Sequence, residues 1–398
     1  MYTERGEKME YEKLKERLYA KIREFAPTAF SLNDQMAREP ELGLQEHKSS
    51  AAIVQTLRAQ GIEVEYPFAG YETAFCGRIA PERKRRMALL AEYDALRGLG
   101  HACGHCASGS SSVLAALAFQ TLKGDYSFGV DIIGTPDEEY SGTKAGMANR
   151  GIFDQYDFVA MAHMGPQTTA VVQYIALDGI GIKWHGKPAH AASQPWEGRN
   201  TLNAARLFFD AVDAMRQHIL PEARVHGIIK NGGDASNIVP DLAEVEFLTR
   251  APRRKDLDDI TEWVKDCARA AALATRTETE IYSICDPFHE LYISKLEKAA
   301  MERCFRELKL DYTEEIGMTG SSDIGNADYR CPALQPIVSI GKPFSCHTKE
   351  FADAMPTPET HQAIVNAASV LAALTANLYG EPEVLQAIQA DHKAYRGY

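Results

Sequence analysis

The chain lacks what a membrane-spanning or nucleic-acid-binding protein draws on. No segment approaches the ~18–20 consecutive apolar residues of a bilayer span; the two most apolar stretches, 111–122 and 365–376, are broken by small and polar residues and read as core helices. Basic residues are in deficit, 43 Lys and Arg against 55 Asp and Glu, for a net charge of −12. Nucleic-acid affinity comes mainly from clustered Lys and Arg, so this balance argues against a phosphate backbone as partner. The stretch 2–27 is rich in Glu, Lys and Arg without an apolar h-region, so no secretory signal is expected and the cytoplasm is the expected compartment. Cysteine is sparse: eight residues scattered over 398 make no disulfide framework and read as core thiols, with one or two ligands among them. No internal repeat or low-complexity segment is found. With 45 % of positions hydrophobic, what remains is a globular chain long enough for two or three domains.

Apolar residues recur every three or four positions from 10 to 25, at Leu14, Leu18, Ile22 and Phe25, which predicts an amphipathic helix. A second helix is expected over 45–60, ending at Gly61. Strand-like runs follow at 63–66, 73–79, 87–92 and 128–135, alternating with helical stretches such as 111–122. Such alternation predicts an α/β core on a largely parallel sheet, whose ligands sit outside the carboxyl ends of the strands. The loops after Glu92, Thr135 and Ala160 are therefore where chemistry is sought. From about Val172 the texture changes to a βαββα order: strand 173–184, helix 200–218, paired strands 224–230 and 241–250, helix 255–275. This predicts an inserted α+β domain over 178–288 within a core formed by 1–177 and 289–398, closed by a helix over 358–378.

The densest cluster of potential ligands is GHACGHC at 100–106, between a predicted strand and a helix expected to start near Ser110. Thiolate and imidazole two residues apart on a Gly-flanked loop, Cys103 and His105, can face one cation. A lone Cys-x-His pair, however, is most often not a site. The spacing Cys103 to Cys106 also matches a thiol–disulfide exchange motif, but Ala102 precedes it where such motifs usually carry Trp, and His101 adds a second imidazole. The next group is GTPDEE at 134–139, where three consecutive acids at a strand's end repel one another unless a cation offsets them. With a metal present, one of the adjacent Glu138 and Glu139 could ligate and the other take a proton from water; the alternative is a solvated acidic turn. His163 ends an apolar strand at 158–164 and His347 lies in a polar loop at 344–350; either alone reads equally as a structural histidine. Together, Cys, His, Glu, His and His plus a spare carboxylate suffice for two first-row divalent ions.

The ordered motifs AEYDAL, GHACGH, GTPDEE, MAHM, HGKPAHAA, PWEGRN, GGDASNIVPD, GSSDIGN and HTKEF resemble the M20 metallopeptidase family. Within it they resemble the amidohydrolase branch that includes p-aminobenzoyl-glutamate hydrolase, aminoacylase-like enzymes and auxin-conjugate hydrolases. The resemblance spans about 31–372. It implies a metallohydrolase core with an inserted dimerisation (lid) domain, and two divalent ions held by Cys103, His105, Glu139, His163 and His347. Glu138 would be the general base and Asp94 a support behind the ligands. His190 would reach toward the active site across a homodimer, and Asn237 and Arg250 would contact substrate, Arg250 pairing with a carboxylate through its fork. Relatives often carry Pro where this chain has Arg97 and Asn where it has Cys106, and a further thiol, Cys346, adjoins a ligand histidine. Cys106 would expose the site to oxidation, and Arg97 would attract anionic substrates.

The expected activity is hydrolysis of the amide of N-acyl or N-aroyl amino acids or small dipeptides by a metal-activated water. An exopeptidase on longer peptides and a non-catalytic binding protein on the same fold are the alternatives. Cys103 favours zinc by softness, while His and Glu accept manganese or cobalt.

Overall fold

The computed structural model describes residues 2–396. The chain divides into two compact units: Met1–Gln173 with Leu291–Thr319 and Asp323–Tyr398, and Tyr174–Glu290 with Gly320–Ser322. The insert is therefore slightly wider than the 178–288 expected, and the excursion at 320–322 has no counterpart in the sequence pattern.

The first unit carries a six-stranded sheet in the order Glu63–Glu65, Phe75–Ile79, Gly129–Gly134, Arg86–Ala91, Phe158–Ala160, Ala333–Leu334. The last four strands run parallel, and the first two add an antiparallel margin. Its central strands Arg86–Ala91 and Gly129–Gly134 are buried at every position, as a parallel strand covered on both faces must be. These strands end at Ala91, Gly134 and Ala160, so the segments that follow them emerge together at the carboxyl end of the sheet.

Helix His105–Thr121 is buried throughout from His105 to Phe119. It begins at His105, not near Ser110, so that His105 and Cys106 lie on its first turn and Cys103 in the loop before it. The polar SGSSS run hid this start, yet its serines 111 and 112 are buried and partnered: Ser112 Oγ donates to Leu90 O at 2.6 Å and Ser111 Oγ to Ser108 O at 2.7 Å. A Cβ on Gly109 would meet Glu92 O at 2.2 Å, so only glycine lets helix and strand end approach this closely.

The first helix runs over Tyr2–Arg38, well past the 10–25 expected, with Pro27 inside it. Its apolar stripe continues through Ala26, Ala29, Leu32 and Met36, all buried, and this packing offsets the lost hydrogen bond at the proline. Helix Pro358–Gly380 is long and apolar enough to cross a membrane by length and composition, and 83 % of that window is buried in the protein. Here it is a core helix.

The second unit is a four-stranded antiparallel sheet, ordered Glu278–Ser283, Ala176–His185, Leu242–Ala251, Arg224–Asn231, with helices Thr201–Met215 and Arg254–Thr275. Along Leu242–Ala251 every second residue is buried, and Val245 and Phe247 join Trp184 and Phe208 in its core. The edge strand Glu278–Ser283, beyond the expected elements, makes the order βαββαβ; its alternating acids and half-buried positions give little apolar signal.

Candidate metal centre

At the sheet's carboxyl end, His105 is fixed by Asp94, whose Oδ1 lies 2.7 Å from His105 Nδ1. The other carboxylate oxygen, Oδ2, accepts the Glu139 N–H at 3.0 Å. His163 is oriented in the same way: its Nδ1 donates to Met164 O at 2.8 Å. In both histidines the bond at Nδ1 turns Nε2 toward the cluster, the arrangement that ligand histidines show. Cys103 Sγ sits 3.5 Å from His163 Nε2, and His347 Nε2 lies 3.7 Å from Glu139 Oε1. Gly104, between the thiol and the imidazole, has φ +83°, and a Cβ there would meet Met164 at 2.9 Å. His347 itself adopts φ +64°, with its N–H donating to Ala102 O at 2.8 Å.

These groups converge. Donor atoms of Cys103, His105 and His163 lie within 4.8 Å of one another, as do those of Cys103, Glu139 and His347, and those of His105, Glu138 and Glu139. Cys103 belongs to two of the three groups. His105 Nε2 and Glu139 Oε1 are buried without a hydrogen-bond partner, a costly state that a cation would relieve. Soft thiolate, imidazole and carboxylate donors with orphaned lone pairs therefore fit divalent metal ions.

The acids and imidazoles of the cluster also shift one another's protonation. Burial would lower the His105 pKa, but the carboxylates of Asp94 and Glu92 carry it well above the usual imidazole range. Asp94 is held down at about 2 against burial, chiefly by His105. Burial and then the charge on His105 lower His163 to about 4, leaving it neutral and able to ligate. Burial, then Glu92 and Asp323, push Glu138 well above the usual carboxylate range.

Beneath the ligands lies an ionic network that joins Glu92 of the AEYDAL motif and Asp323 of GSSDIGN through a lysine outside every motif. Lys144, fully buried, spans Glu92 Oε1 at 2.6 Å and Asp323 Oδ1 at 2.5 Å, and its main-chain N–H donates to Asp323 Oδ2 at 3.0 Å. Glu138 shares this neighbourhood, its carboxylate grouping with those of Glu92 and Asp323 within 4.8 Å. Glu46, also buried, accepts the Asp137 N–H and the Thr73 hydroxyl, both at 2.9 Å, and so pins the loop that carries Glu138 and Glu139. The signal for Glu92 was its place at a strand's end; for Lys144 and Glu46 no local pattern exists.

The remaining candidates lie in the second unit. The exposed His190 accepts the N–H groups of Ala192 and Ser193 at its Nδ1, at 3.2 and 3.3 Å, and Asn237 O accepts the Ala191 N–H at 3.0 Å. Arg250 donates to Ser321 Oγ at 3.0 Å and forms no ion pair with an acid among the described residues. In the first unit, Arg97 is exposed, and Cys106 is fully buried on the central helix.

An α/β core with donors gathered at its strand ends, joined to a separate α+β unit, defines a metallohydrolase architecture. Residues 177–276 match the peptidase dimerisation domain family of the M20 group. The chain is 33 % identical to human Xaa-Arg dipeptidase, over 96 % of this chain and 93 % of that one. It is 28 % identical to a p-aminobenzoyl-glutamate hydrolase component from Escherichia coli K12, over 90 % and 91 % of the two chains. A Bacillus subtilis structure described as a dinuclear metal-binding peptidase of the M20 family superposes with a TM-score of 0.68 at 16 % identity, covering 89 % of this chain and 99 % of that one. The chain belongs to the M20 family of peptidases and amidohydrolases, and is an enzyme of that type.

Proposed function

We propose that the chain hydrolyses the amide bond of dipeptides or N-acyl amino acids that end in a free carboxylate, using two divalent cations per subunit. The convergence of Cys103, His105, Glu139, His163 and His347 on overlapping donor groups carries this reading. These five residues would hold the cations, with Cys103 favouring zinc and the other donors also accepting manganese or cobalt. The bound cations would supply polarisation of the scissile carbonyl and a lowered pKa for the attacking water. Glu138 takes the proton from that water and returns it to the departing nitrogen; its buried setting and neighbouring negative charge suit a carboxylate that must hold a proton part of the time. Asp94 keeps His105 and Glu139 in register.

Arg250 binds the substrate carboxylate, and Asn237 contacts the same substrate. Desolvation by burial lowers the Arg250 pKa, which marks a guanidinium short of a counter-charge. A carboxylate would supply one, through two parallel hydrogen bonds. The relative named for Xaa-Arg dipeptides is similar over nearly its whole length, so dipeptides with a basic second residue are the first substrates to try, and p-aminobenzoyl-glutamate the next. The net charge of −12 favours approach of cationic substrates.

The enzyme works as a homodimer in which His190 of the partner subunit supports the developing oxyanion. The dimerisation-domain match supports this, as does the sheet edge Arg224–Asn231, which presents Ile228 and Ile229 at 61 % and 48 % exposure. Eight unpaired cysteines suit the reducing cytoplasm. A panel of Xaa-Arg, other dipeptide and acyl-amino-acid substrates, run with and without chelator, tests the proposal. Chelator-sensitive cleavage of dipeptides or acyl-amino acids is expected; cleavage that a chelator leaves untouched, or of longer peptides alone, would contradict it.

A further inference from the structure

We propose that Cys346 is an oxidant-modification site, at which a peroxide generates a disulfide to Cys103 and so withdraws a thiol from the metal centre. The inference rests on the reading of Cys103 as a ligand. Far apart in sequence, the two cysteines are brought to the same place in the fold. The backbone sets this meeting: the His347 N–H donates to Ala102 O at 2.8 Å, so the residues beside the two cysteines are clamped together. Both sulfurs also lie against the strand His163–Gly165, Cys346 Sγ at 3.9 Å from Met164 O and Cys103 Sγ at 3.5 Å from His163 Nε2.

Access separates this pair from the other thiols of the first unit. Cys103 and Cys346 are part-exposed, whereas Cys76, Cys106, Cys304 and Cys331 are buried. Cys106, the thiol that the sequence singled out for oxidation, sits at 0 % exposure on the central helix, where a peroxide has no path to it. The chemistry balances with peroxide as the only oxidant. Cys346 thiol and hydrogen peroxide yield the sulfenic acid and one water. The Cys103 thiolate then attacks that sulfur, forming the S–S bond and expelling hydroxide. Cys103 thereby loses the lone-pair charge with which a thiolate binds metal. A thiol reductant returns both cysteines to thiols by exchange and is itself oxidised to a disulfide.

The test uses the metal-loaded full-length protein, titrated with hydrogen peroxide, alongside Cys346→Ser and Cys106→Ser. Metal content is measured first on untreated protein, then metal release with a chromophoric chelator, the mass of the alkylated chain, and cross-linked peptides. The wild type is expected to take up two fewer alkyl groups, to yield a peptide pair joining Cys103 to Cys346, and to release cation in step with it, with recovery on dithiothreitol and added metal. Cys106→Ser is expected to behave like the wild type. Cys346→Ser is expected to give no such pair and to need roughly tenfold more peroxide for the same metal release. Metal release from Cys346→Ser at wild-type peroxide concentrations, or Cys103 over-oxidised in the wild type with no cross-link, overturns the proposal. A cross-link that forms while the cations stay bound would instead keep the modification site and refute the ligand role of Cys103.

Discussion

One carboxylate, Asp94, ties two candidate ligands from different segments: Oδ1 holds the His105 ring at 2.7 Å and Oδ2 receives the Glu139 main-chain N–H at 3.0 Å. An amide at this position offers a single acceptor oxygen, so Asp94→Asn must drop one of the two bonds. Metal affinity is expected to fall about 10–100-fold, the usual cost of losing a ligand's outer support. Competition with a chelator of known affinity measures it, and unchanged affinity would show that Asp94 does not position the ligands.

Glu138 and Glu139 are adjacent but carry different assignments. Glu138→Gln is expected to keep the metal content of the wild type while kcat drops by about 10²–10⁴, the range that general bases contribute. Glu139→Gln is expected to lose metal. Elemental analysis beside steady-state kinetics separates the two, and loss of metal from the Glu138 variant would exchange their roles.

Lys144 is the only cation bonded to the buried carboxylates of Glu92 and Asp323 among the described residues, apart from the His105 ring beside Glu92. Lys144→Met would leave two buried acids facing each other without this counter-charge, a situation that costs about 3–5 kcal/mol. A much smaller loss is expected for the double variant Lys144→Met with Asp323→Asn, because one of the stranded charges is gone. Urea unfolding of both proteins tests this, and equal destabilisation in the two would refute the pairing.

Away from the metal centre, Glu297 in helix Lys295–Glu307 is raised to about 8, by burial first and then by Asp328, with Asp391 adding to the effect and the Ser294 hydrogen bonds opposing it. In the unfolded chain the same group titrates near 4.5. Below that pH both states are protonated and the contribution to stability is complete. Between the two values the unfolded chain has released its proton and the native chain has not, so stability falls as pH rises, by up to about 1.4 kcal/mol per unit, and the loss is complete above the folded value. Glu297→Gln keeps an acceptor for the Ser294 N–H and is expected to flatten that slope. Unfolding free energies from pH 5 to 8 compare the two proteins, and identical slopes would contradict the shift.

The parts legible in the sequence are those whose logic is local. Donors at the ends of apolar strands, His163 and the 134–139 acids, stand out because strand periodicity marks where the sheet's carboxyl edge lies. Alternation along Leu242–Ala251 announces a half-buried strand in the same way. What stays hidden depends on tertiary pairing. Lys144 reads as an ordinary helical lysine until Glu92 and Asp323 close around it, and Glu46 looks like a solvated acid until Asp137 and Thr73 reach its oxygens. The strand Glu278–Ser283 and the helix through Pro27 go against local propensity and are held by neighbours that no window of sequence contains.

The central claim is that five side chains from distant parts of the chain hold a pair of cations. Anomalous diffraction at the zinc edge from crystals of metal-loaded protein tests it most directly. Two peaks are expected, each within bonding distance of ligands drawn from Cys103, His105, Glu139, His163 and His347, with Glu138 beside them and unligated. A single peak, none, or peaks held by other residues would contradict the account.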